Sequence, residues 1–148
     1  MDLARHPFEG AVAIRESRIP RFCGAAVGGT ESMIVPAADG RLRFWRNTSI
    51  ASLAPGTSAT LPFGVLGYEW DVDVDNGFRP AGAIRLSSTT VDAASVLQDF
   101  GDEYAPETVT HSLTLYRGAS GALVFGSGTV QWSWGLDDQH DEQHGPPL

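Results

Sequence analysis

The sequence predicts a β-rich α/β domain, with a mixed sheet and few short helices. Apolar and acidic residues alternate strictly over residues 68–75, which is the pattern of a strand with one face buried. Residues 81–91 end in β-branched side chains, which predicts a further strand. A glycine-containing turn at residues 118–121 predicts a hairpin. Seventeen glycines and nine prolines indicate many turns and short elements. The length of 148 residues fits one domain with a sizeable core.

Charge and composition exclude several classes of function. The net charge is −8, all ten cationic side chains are arginines, and no basic stripe is visible, so we expect no nucleic-acid partner. No apolar run approaches the ~20 residues of a membrane span, so we expect no membrane partner. The segment after Met1 lacks a hydrophobic signal region, which predicts a cytoplasmic location, although a parent protein could be secreted. The single cysteine, Cys23, excludes an internal disulfide and a CxxC zinc site.

The chain divides into three segments. Residues 1–31 carry one candidate strand, at residues 11–16, and otherwise match no element. Residues 32–136 contain the periodic patterns and are expected to form the domain. Residues 137–148 are polar, acidic and proline-ended, so they are predicted to be a solvated tail.

The first elements of the domain are short. Residues 32–37 (SMIVPA) and 42–46 (LRFWR) are predicted strands that form a hairpin around an Asp-Gly turn. Residues 48–54 are predicted to form a short helical turn, which Pro55-Gly56 would end.

The second half of the domain is predicted to contain a strand, a helix and a hairpin. The strand spans residues 81–91, the helix spans residues 92–100 (DAASVLQDF), and a polar loop follows at residues 101–108. Residues 111–117 and 122–136 form the two arms of the hairpin.

The second arm of that hairpin carries two further expectations. Its first residues, ALVF at 122–125, form a continuous apolar run that is predicted to be buried on both faces. Trp132 and Trp134 lie two residues apart and share one face of the strand. They are expected to be core or rim residues, and a sugar-binding platform is the alternative.

The acidic strand holds the candidate chemistry. One of its faces carries four carboxylates: Glu69, Asp71, Asp73 and Asp75. Carboxylates on one strand face repel each other, and aspartate is a poor strand former. Water, an arginine or a metal cation must therefore offset the repulsion.

Two interpretations of this acidic face remain open. One is an oxygen-ligand site for a hard cation, and the favoured one is solvated carboxylates that Arg79 or Arg85 match in part. The D-x-D-x-D spacing from Asp71 resembles an EF-hand loop. However, Asn76 stands where that loop needs glycine, and Gly82 stands where it needs glutamate, so the EF-hand interpretation fails.

Two further histidine motifs are weaker. His140 and His144 have the spacing of a zinc motif, but Asp141 stands where H-E-x-x-H requires glutamate, and the segment is polar. His111 and the serines suggest a catalytic triad, but the chain has no G-x-S-x-G elbow. Both motifs are therefore expected to be incidental.

Two sequence blocks carry a family resemblance. Residues 67–91 and 111–141, with residues 34–49 upstream, resemble the C-terminal domain of N,N-dimethylformamidase large (β) subunit-like proteins. The blocks GYEWD…NG.RPAG and GALVFG.GTVQWSWGLD are the distinctive ones. They are most similar to a branch found in large bacterial multidomain proteins of unassigned function, and the likeness runs from about residue 33 to residue 141.

The resemblance implies a fold, an activity and a ligand. The fold is that of class I glutamine amidotransferases, with helices on a mixed sheet, of which this chain would be a part. The activity is amide hydrolysis at a mononuclear iron held by two tyrosines and one glutamate. Glu69, ahead of Arg79-Pro80, is the residue that matches this glutamate. The matching tyrosines would lie upstream of this chain, and Tyr68 is not their equivalent.

We therefore expect a domain or fragment of the dimethylformamidase C-terminal type that is not catalytic alone. The first alternative is an iron-dependent hydrolase of small linear amides, with Glu69 as metal ligand and Asp71 or Asp73 as acid or base beside it. The second alternative is a cation-binding or structural interaction module. An incomplete sheet would expose apolar surface, which another domain or subunit would cover.

Overall fold

The structure is a computed structural model that describes residues 22–24, 30–67, 69–73, 79–98 and 103–136. Within these residues the strands are β1 (Phe22–Gly24), β2 (Ile34–Pro36), β3 (Ser58–Thr60), β4 (Glu69–Asp71), β5 (Ile84–Arg85), β6 (Thr89–Gln98), β7 (Glu103–His111), β8 (Thr114–Arg117) and β9 (Leu123–Gly126). The helices described there are short: α1 (Ala37–Gly40) and the 3-10 helices Arg43–Trp45, Ser49–Ser52 and Trp132–Gly135.

The strands form three small sheets. Their strand orders are β4-β1-β6-β7, β2-β3 and β5-β8-β9. Each pairing between described strands is antiparallel, so the expected mixed sheet is not seen in this part of the chain. The expectation of a β-rich domain with few short helices is confirmed.

One long antiparallel pairing connects the two larger sheets. Along it, β6 pairs with β7 and β5 pairs with β8. Between the two ladders, residues 86–88 stand opposite residues 112–113, so one side has an extra residue, as in a β-bulge. This irregularity divides the predicted strand at 81–91 into β5 and the start of β6, and it sends the two halves into different sheets.

The helix predicted at residues 92–100 is wrong for residues 92–98, which continue β6. Its pairing with β7 extends from Thr89↔His111 to Gln98↔Glu103, with one register shift between Ala93 and Val96. The loop predicted at residues 101–108 is wrong for residues 103–108, which belong to β7. Short apolar patterns fit a helix and an irregular strand equally, and here the cross-strand hydrogen bonds outweigh the helix-compatible spacing.

The hairpin predicted between residues 32–37 and 42–46 is also wrong. β2 pairs instead with β3, and α1 follows β2 directly. Residues 43–45 form a 3-10 helix, which turns Trp45 into the core, where its Nε1 donates a 2.9 Å hydrogen bond to the Leu86 carbonyl. The short helical turn predicted at residues 48–54 is confirmed by the 3-10 helix Ser49–Ser52.

The last predicted hairpin, with arms at residues 111–117 and 122–136, is confirmed for β8 and β9, which are joined by a turn with Gly121 at φ 87°. Its outer parts are wrong, because His111 belongs to β7 and residues 132–135 form a 3-10 helix. The expectation that ALVF is buried on both faces is wrong, because Leu123 is 63% exposed and Phe125 is 37% exposed. Trp132 and Trp134 lie on a 3-10 helix, so they do not share the face of a strand.

The core lies where the sheets meet. It is formed by side chains from β2, the segment after β3, the acidic strand, the bulge region and the long pairing. Its least exposed members are Met33, Val35, Leu66, Leu86, Val96 and Leu113, each with no exposed surface. Burial of such side chains is the main stabilising term in folding.

Candidate functional site

The acidic strand is where the sequence predicts function, and its first part folds as the alternation predicts. Trp70 and Val72 are buried at 3% and 5% exposure, whereas Glu69 on the opposite face is exposed. In the described part of the chain, the regular strand is Glu69–Asp71, which pairs with the three residues of β1. Asp75 and Tyr68 lie outside the described residues.

Asp73 is held by two arginines. Its Oδ1 lies 3.2 Å from Arg79 Nη1, and its Oδ2 accepts a 2.6 Å hydrogen bond from Arg85 Nε. The Asp73 backbone N–H donates to the Thr110 carbonyl, which fixes the chain beside β7. The interpretation that arginines offset the acidic face is therefore confirmed for this carboxylate, and an aspartate held in this way is poorly available as a metal ligand.

The backbone of Asp71 is bonded to the segment after β9. Its N–H donates a 2.7 Å hydrogen bond to the Gly128 carbonyl, and its side chain is half-buried. Gly128 has φ 59°, and a Cβ placed there would lie 3.1 Å from His111 Nε2 and 3.6 Å from the Asp71 Cβ. Glycine is therefore needed at residue 128, both for the backbone angle and for the close approach of its neighbours.

His111 is the titratable residue whose role the sequence did not reveal. It is fully buried, its Nε2–H donates a 2.9 Å hydrogen bond to the Ser127 carbonyl, and its ring meets the Trp70 ring edge-on at 6.0 Å. Because a carbonyl can only accept, Nδ1 carries the lone pair in the neutral ring, and it has no hydrogen-bond partner in the described part of the chain. Sequence offered no signal for this role beyond the position of His111 beside an apolar strand.

Burial controls the protonation of this ring. It lowers the pKa of the His111 imidazole to about 4, and the hydrogen bond to Ser127 and the charge of Asp73 oppose that shift only in part. His111 is therefore neutral at pH 7 and acts as a packed hydrogen-bond donor that joins the end of β7 to the segment after β9.

The iron ligands that the resemblance implies are not brought together by the described side chains. Tyr104 lies on β7 and is 64% exposed, whereas Tyr116 lies on β8 in a different sheet. Neither strand is a neighbour of β4, which carries Glu69. Within residues 30–67, 69–73, 79–96 and 104–136, no group of three or more His, Cys, Asp and Glu side chains could hold a metal ion. These residues do not fit a complete iron site.

The cavity beside β6 and β7 is a second place with acidic side chains. It has a volume of about 360 Å³, it is open to solvent, and it lies at the register shift of the pairing. Asp92 and Glu107 line it, and Thr108 Oγ1 donates a 2.6 Å hydrogen bond to Asp92 Oδ1. Both acids are strand residues with solvent access, which is an ordinary arrangement for a sheet surface.

Two other sequence motifs cannot be placed. His140 and His144 lie outside the described residues, as does the candidate strand at residues 11–16. No helix in the described part of the chain is long and apolar enough to cross a membrane.

The sheets and the acidic strand define a small antiparallel β-rich domain. Comparison with protein-family models matches residues 20–144 to the family described as N,N-dimethylformamidase beta subunit-like, C-terminal. The chain belongs to this family, as the two sequence blocks predict. Comparisons with curated proteins and with solved structures returned no match.

Proposed function

We propose that this domain is not catalytic by itself and that it serves as a supporting domain of a larger dimethylformamidase-like protein. The observation that carries the proposal is the double ion pair of Asp73 with Arg79 and Arg85. A carboxylate that binds two guanidinium groups stabilises the fold, and it is not poised to bind a metal or to move a proton.

Among the three acids of this strand that the structure describes, Glu69 is exposed, whereas Asp71 and Asp73 are partly buried. A catalytic metal needs several protein ligands and an open position for water or substrate. One exposed glutamate cannot supply this, so any iron chemistry in which Glu69 takes part would need ligands from residues that the structure does not describe or from another domain or subunit. Family membership supports that arrangement, in which Glu69 is a contributing ligand.

A second proposal concerns the fold of the larger protein. We propose that the three antiparallel sheets are the β-rich part of a fold of the class I glutamine amidotransferase type, in which another domain or subunit completes the mixed sheet. The support is the resemblance and the family membership. A structure of a longer stretch of the parent protein tests this proposal, and parallel strands packed beside these sheets are the expected result.

Metal analysis of the purified chain tests the function. We expect less than about one tenth of an iron per chain after growth with iron, and no hydrolysis of small amides, because one carboxylate alone binds iron weakly. The variant Glu69→Gln should give the same values as the unmodified chain.

The matched control is Asp92→Asn, which removes an exposed strand carboxylate and keeps an oxygen that can accept the Thr108 hydrogen bond. Iron bound in a one-to-one ratio, lost in Glu69→Gln and retained in Asp92→Asn, would overturn the proposal and favour the metal-dependent amide hydrolase.

A further inference from the structure

A short connecting segment covers the outer edge of the acidic strand. We call residues 127–130 the strap, because they run antiparallel to β4 on the side away from β1. The Asp71 N–H donates a 2.7 Å hydrogen bond to the Gly128 carbonyl, and the Val130 N–H donates a 3.1 Å hydrogen bond to the Glu69 carbonyl. The strap therefore occupies backbone groups that an edge strand would otherwise present to solvent.

The strap has few apolar contacts. Val130 is 53% exposed, and the hydrophobic core that the structure describes is built from other segments. The Thr129 hydroxyl accepts a 2.8 Å hydrogen bond from the Gly67 N–H and donates a 3.2 Å hydrogen bond to the Val65 carbonyl. Segments with few buried apolar contacts open locally at low free-energy cost, so the strap can open while the sheets stay formed.

The buried group that the strap covers is the His111 ring. Its Nε2–H donates a 2.9 Å hydrogen bond to the Ser127 carbonyl, so the end of the ring points at the strap. A Cβ on Gly128 would lie 3.1 Å from Nε2, so a side chain there would press on the ring. The Trp70 ring meets the imidazole edge-on from β4. His111 is thus enclosed between β4 and the strap, with no exposed surface.

In the described part of the chain, little charge is available to stabilise a proton on this ring. The charged groups around it belong to the acidic strand and to the two arginines that bind there: Asp71, Asp73, Arg79 and Arg85. Thr89 pairs with His111 from β6, Asp92 lies on the other face of that strand, and the strap carries no titratable side chain. A protonated Nδ1 would have no acceptor among the described residues. An imidazolium enclosed there would therefore be a poorly compensated buried charge.

We propose that the strap opens away from β4 when His111 takes up a proton, while the rest of the fold stays formed. The strap is the side that yields, because the other neighbours of the ring are the long pairing of β6 with β7 and the packed Trp70 ring. Once the strap is open, water solvates the imidazolium. Opening also exposes the Asp71 N–H and the Glu69 carbonyl at the edge of the acidic strand. The inference goes beyond the proposed function and does not depend on it.

The size of the effect follows from the two protonation equilibria. Burial lowers the pKa of the enclosed His111 ring to about 4, whereas a solvated imidazole has the ordinary value of 6.5. The open state therefore binds the proton more readily, and its share rises as the pH falls from 6.5 towards 4. Between pH 7 and pH 5, the ratio of open to closed chains should rise about 20-fold.

Amide hydrogen exchange of the full chain, followed by NMR, tests the proposal. The reporters of strap opening are the Asp71 and Val130 amides, and the references are the Leu61 and Leu86 amides, which donate to core carbonyls. Each exchange rate is divided by the intrinsic rate at that pH, so the corrected rate reports an opening equilibrium.

The strap amides should differ from the reference amides in two ways. At both pH values their corrected rates should be at least about tenfold faster, because local opening costs less than global unfolding. Low concentrations of urea should accelerate the reference amides and leave the strap amides unchanged, because local opening exposes little surface. From pH 7 to pH 5 the corrected rates of the strap amides should rise about 20-fold.

Two variants separate the proton from the other contacts of the strap. His111→Gln does not titrate and keeps an N–H donor for Ser127, so the corrected rates at the two pH values should agree within about twofold. Thr129→Val loses the hydroxyl that bonds Gly67, so the strap amides should exchange about tenfold faster at both pH values. In Thr129→Val the ratio between the two pH values should remain about 20-fold.

Three results would overturn the proposal. One shared opening equilibrium for strap and reference amides would mean that the strap opens only when the whole chain unfolds. Corrected strap rates that are equal at pH 7 and pH 5 in the native chain would mean that the strap does not respond to a proton. A pH response that persists in His111→Gln would assign the proton to a carboxylate, Asp71 or Asp73.

Discussion

At the scale of single residues, Asp73 shows how the repulsion between carboxylates on one strand face is offset. Two guanidinium groups approach its two oxygens separately, and its side chain is only 9% exposed. The sequence placed Arg79 and Arg85 among the candidates that offset the acidic face. It could not choose which carboxylate they hold, because that depends on how the folded chain positions Arg79 and β5 relative to the acidic strand.

The variant Asp73→Asn tests this stabilising role. It leaves two guanidinium groups without their counter-charge, although the solvent exposure of Arg85 limits the cost. We expect a loss of about 1–2 kcal/mol in the free energy of unfolding, measured by urea denaturation. Asp92→Asn is the control and should change this free energy by less than about 0.5 kcal/mol. Equal losses in the two variants would show that the ion pairs of Asp73 contribute nothing specific.

His111 predicts a dependence of stability on pH. The pKa of His111 is about 4 in the folded chain and near the ordinary imidazole value of 6.5 in the unfolded chain. The unfolded state therefore binds the proton more readily. The contribution of the neutral His111 ring to the stability of the fold is therefore fully present above pH 6.5, and it is lost as the pH falls towards 4. Between pH 7 and pH 5 this residue should account for a loss of about 2 kcal/mol.

The variant His111→Gln isolates this contribution, because the amide retains an N–H donor for the Ser127 carbonyl and does not titrate. Urea denaturation at pH 7 and at pH 5 measures the loss in both chains. The loss in the variant should be smaller by about 2 kcal/mol. If both chains lose the same amount, the imidazole is not buried as a neutral group.

At the scale of elements, the bulge between residues 86–88 and 112–113 decides the architecture. Ser87 Oγ accepts a 2.8 Å hydrogen bond from the Leu113 N–H, and thus replaces a strand partner where the ladder is interrupted. On the other side of the bulge, Ile34 contributes both backbone groups: its carbonyl accepts from the Ser88 N–H and its N–H donates to Thr89 Oγ1. Side-chain hydroxyls therefore accept hydrogen bonds from backbone N–H groups at the point where the pairing passes from one sheet to the other.

The variant Ser87→Ala tests the bulge. It leaves the buried Leu113 N–H without an acceptor, which should lower the free energy of unfolding by about 1–3 kcal/mol. The measurement is urea denaturation, with Ser88→Ala at the next, half-buried position as the matched control. A loss in the control as large as that in Ser87→Ala would show that the hydroxyl of Ser87 has no special role.

At the scale of the whole molecule, Trp45 joins the helical segment to the sheets. Its indole packs in the core and bonds the carbonyl of Leu86, which belongs to the bulge. Phe44, its neighbour, meets Trp45 edge-on at 4.9 Å and stacks on Phe125 of β9. One 3-10 turn therefore contacts both the buried junction and the partly exposed ring of Phe125.

The variant Trp45→Phe should destabilise the whole fold. It removes the donor to a buried carbonyl and leaves a void, for which we expect a loss of about 2–4 kcal/mol. Urea denaturation followed by circular dichroism should still show a single transition. Tyr104→Phe, an aromatic exchange on the exposed side of β7, should change the free energy by less than about 0.5 kcal/mol. A near-zero change in Trp45→Phe would mean that the junction is not part of the cooperative core.

The sequence by itself determined the β-rich class, the family, the buried side of the acidic strand at Trp70 and Val72, and the final hairpin of β8 and β9. These features rest on period-two patterns, turn residues and family motifs, which are local in the chain. Tertiary structure alone decided that residues 92–98 form a strand, that β2 pairs with β3, and that His111 is buried and neutral. Residues 92–98 form a strand because they pair with β7, the next segment of the chain, which the helix-compatible apolar spacing does not reveal. The other two features depend on partners further away in sequence, such as Thr60 for Ile34 and Ser127 for His111. A hydrogen bond or a buried ring across such a separation leaves no local pattern, because the energy that selects it arises only once the chain has folded.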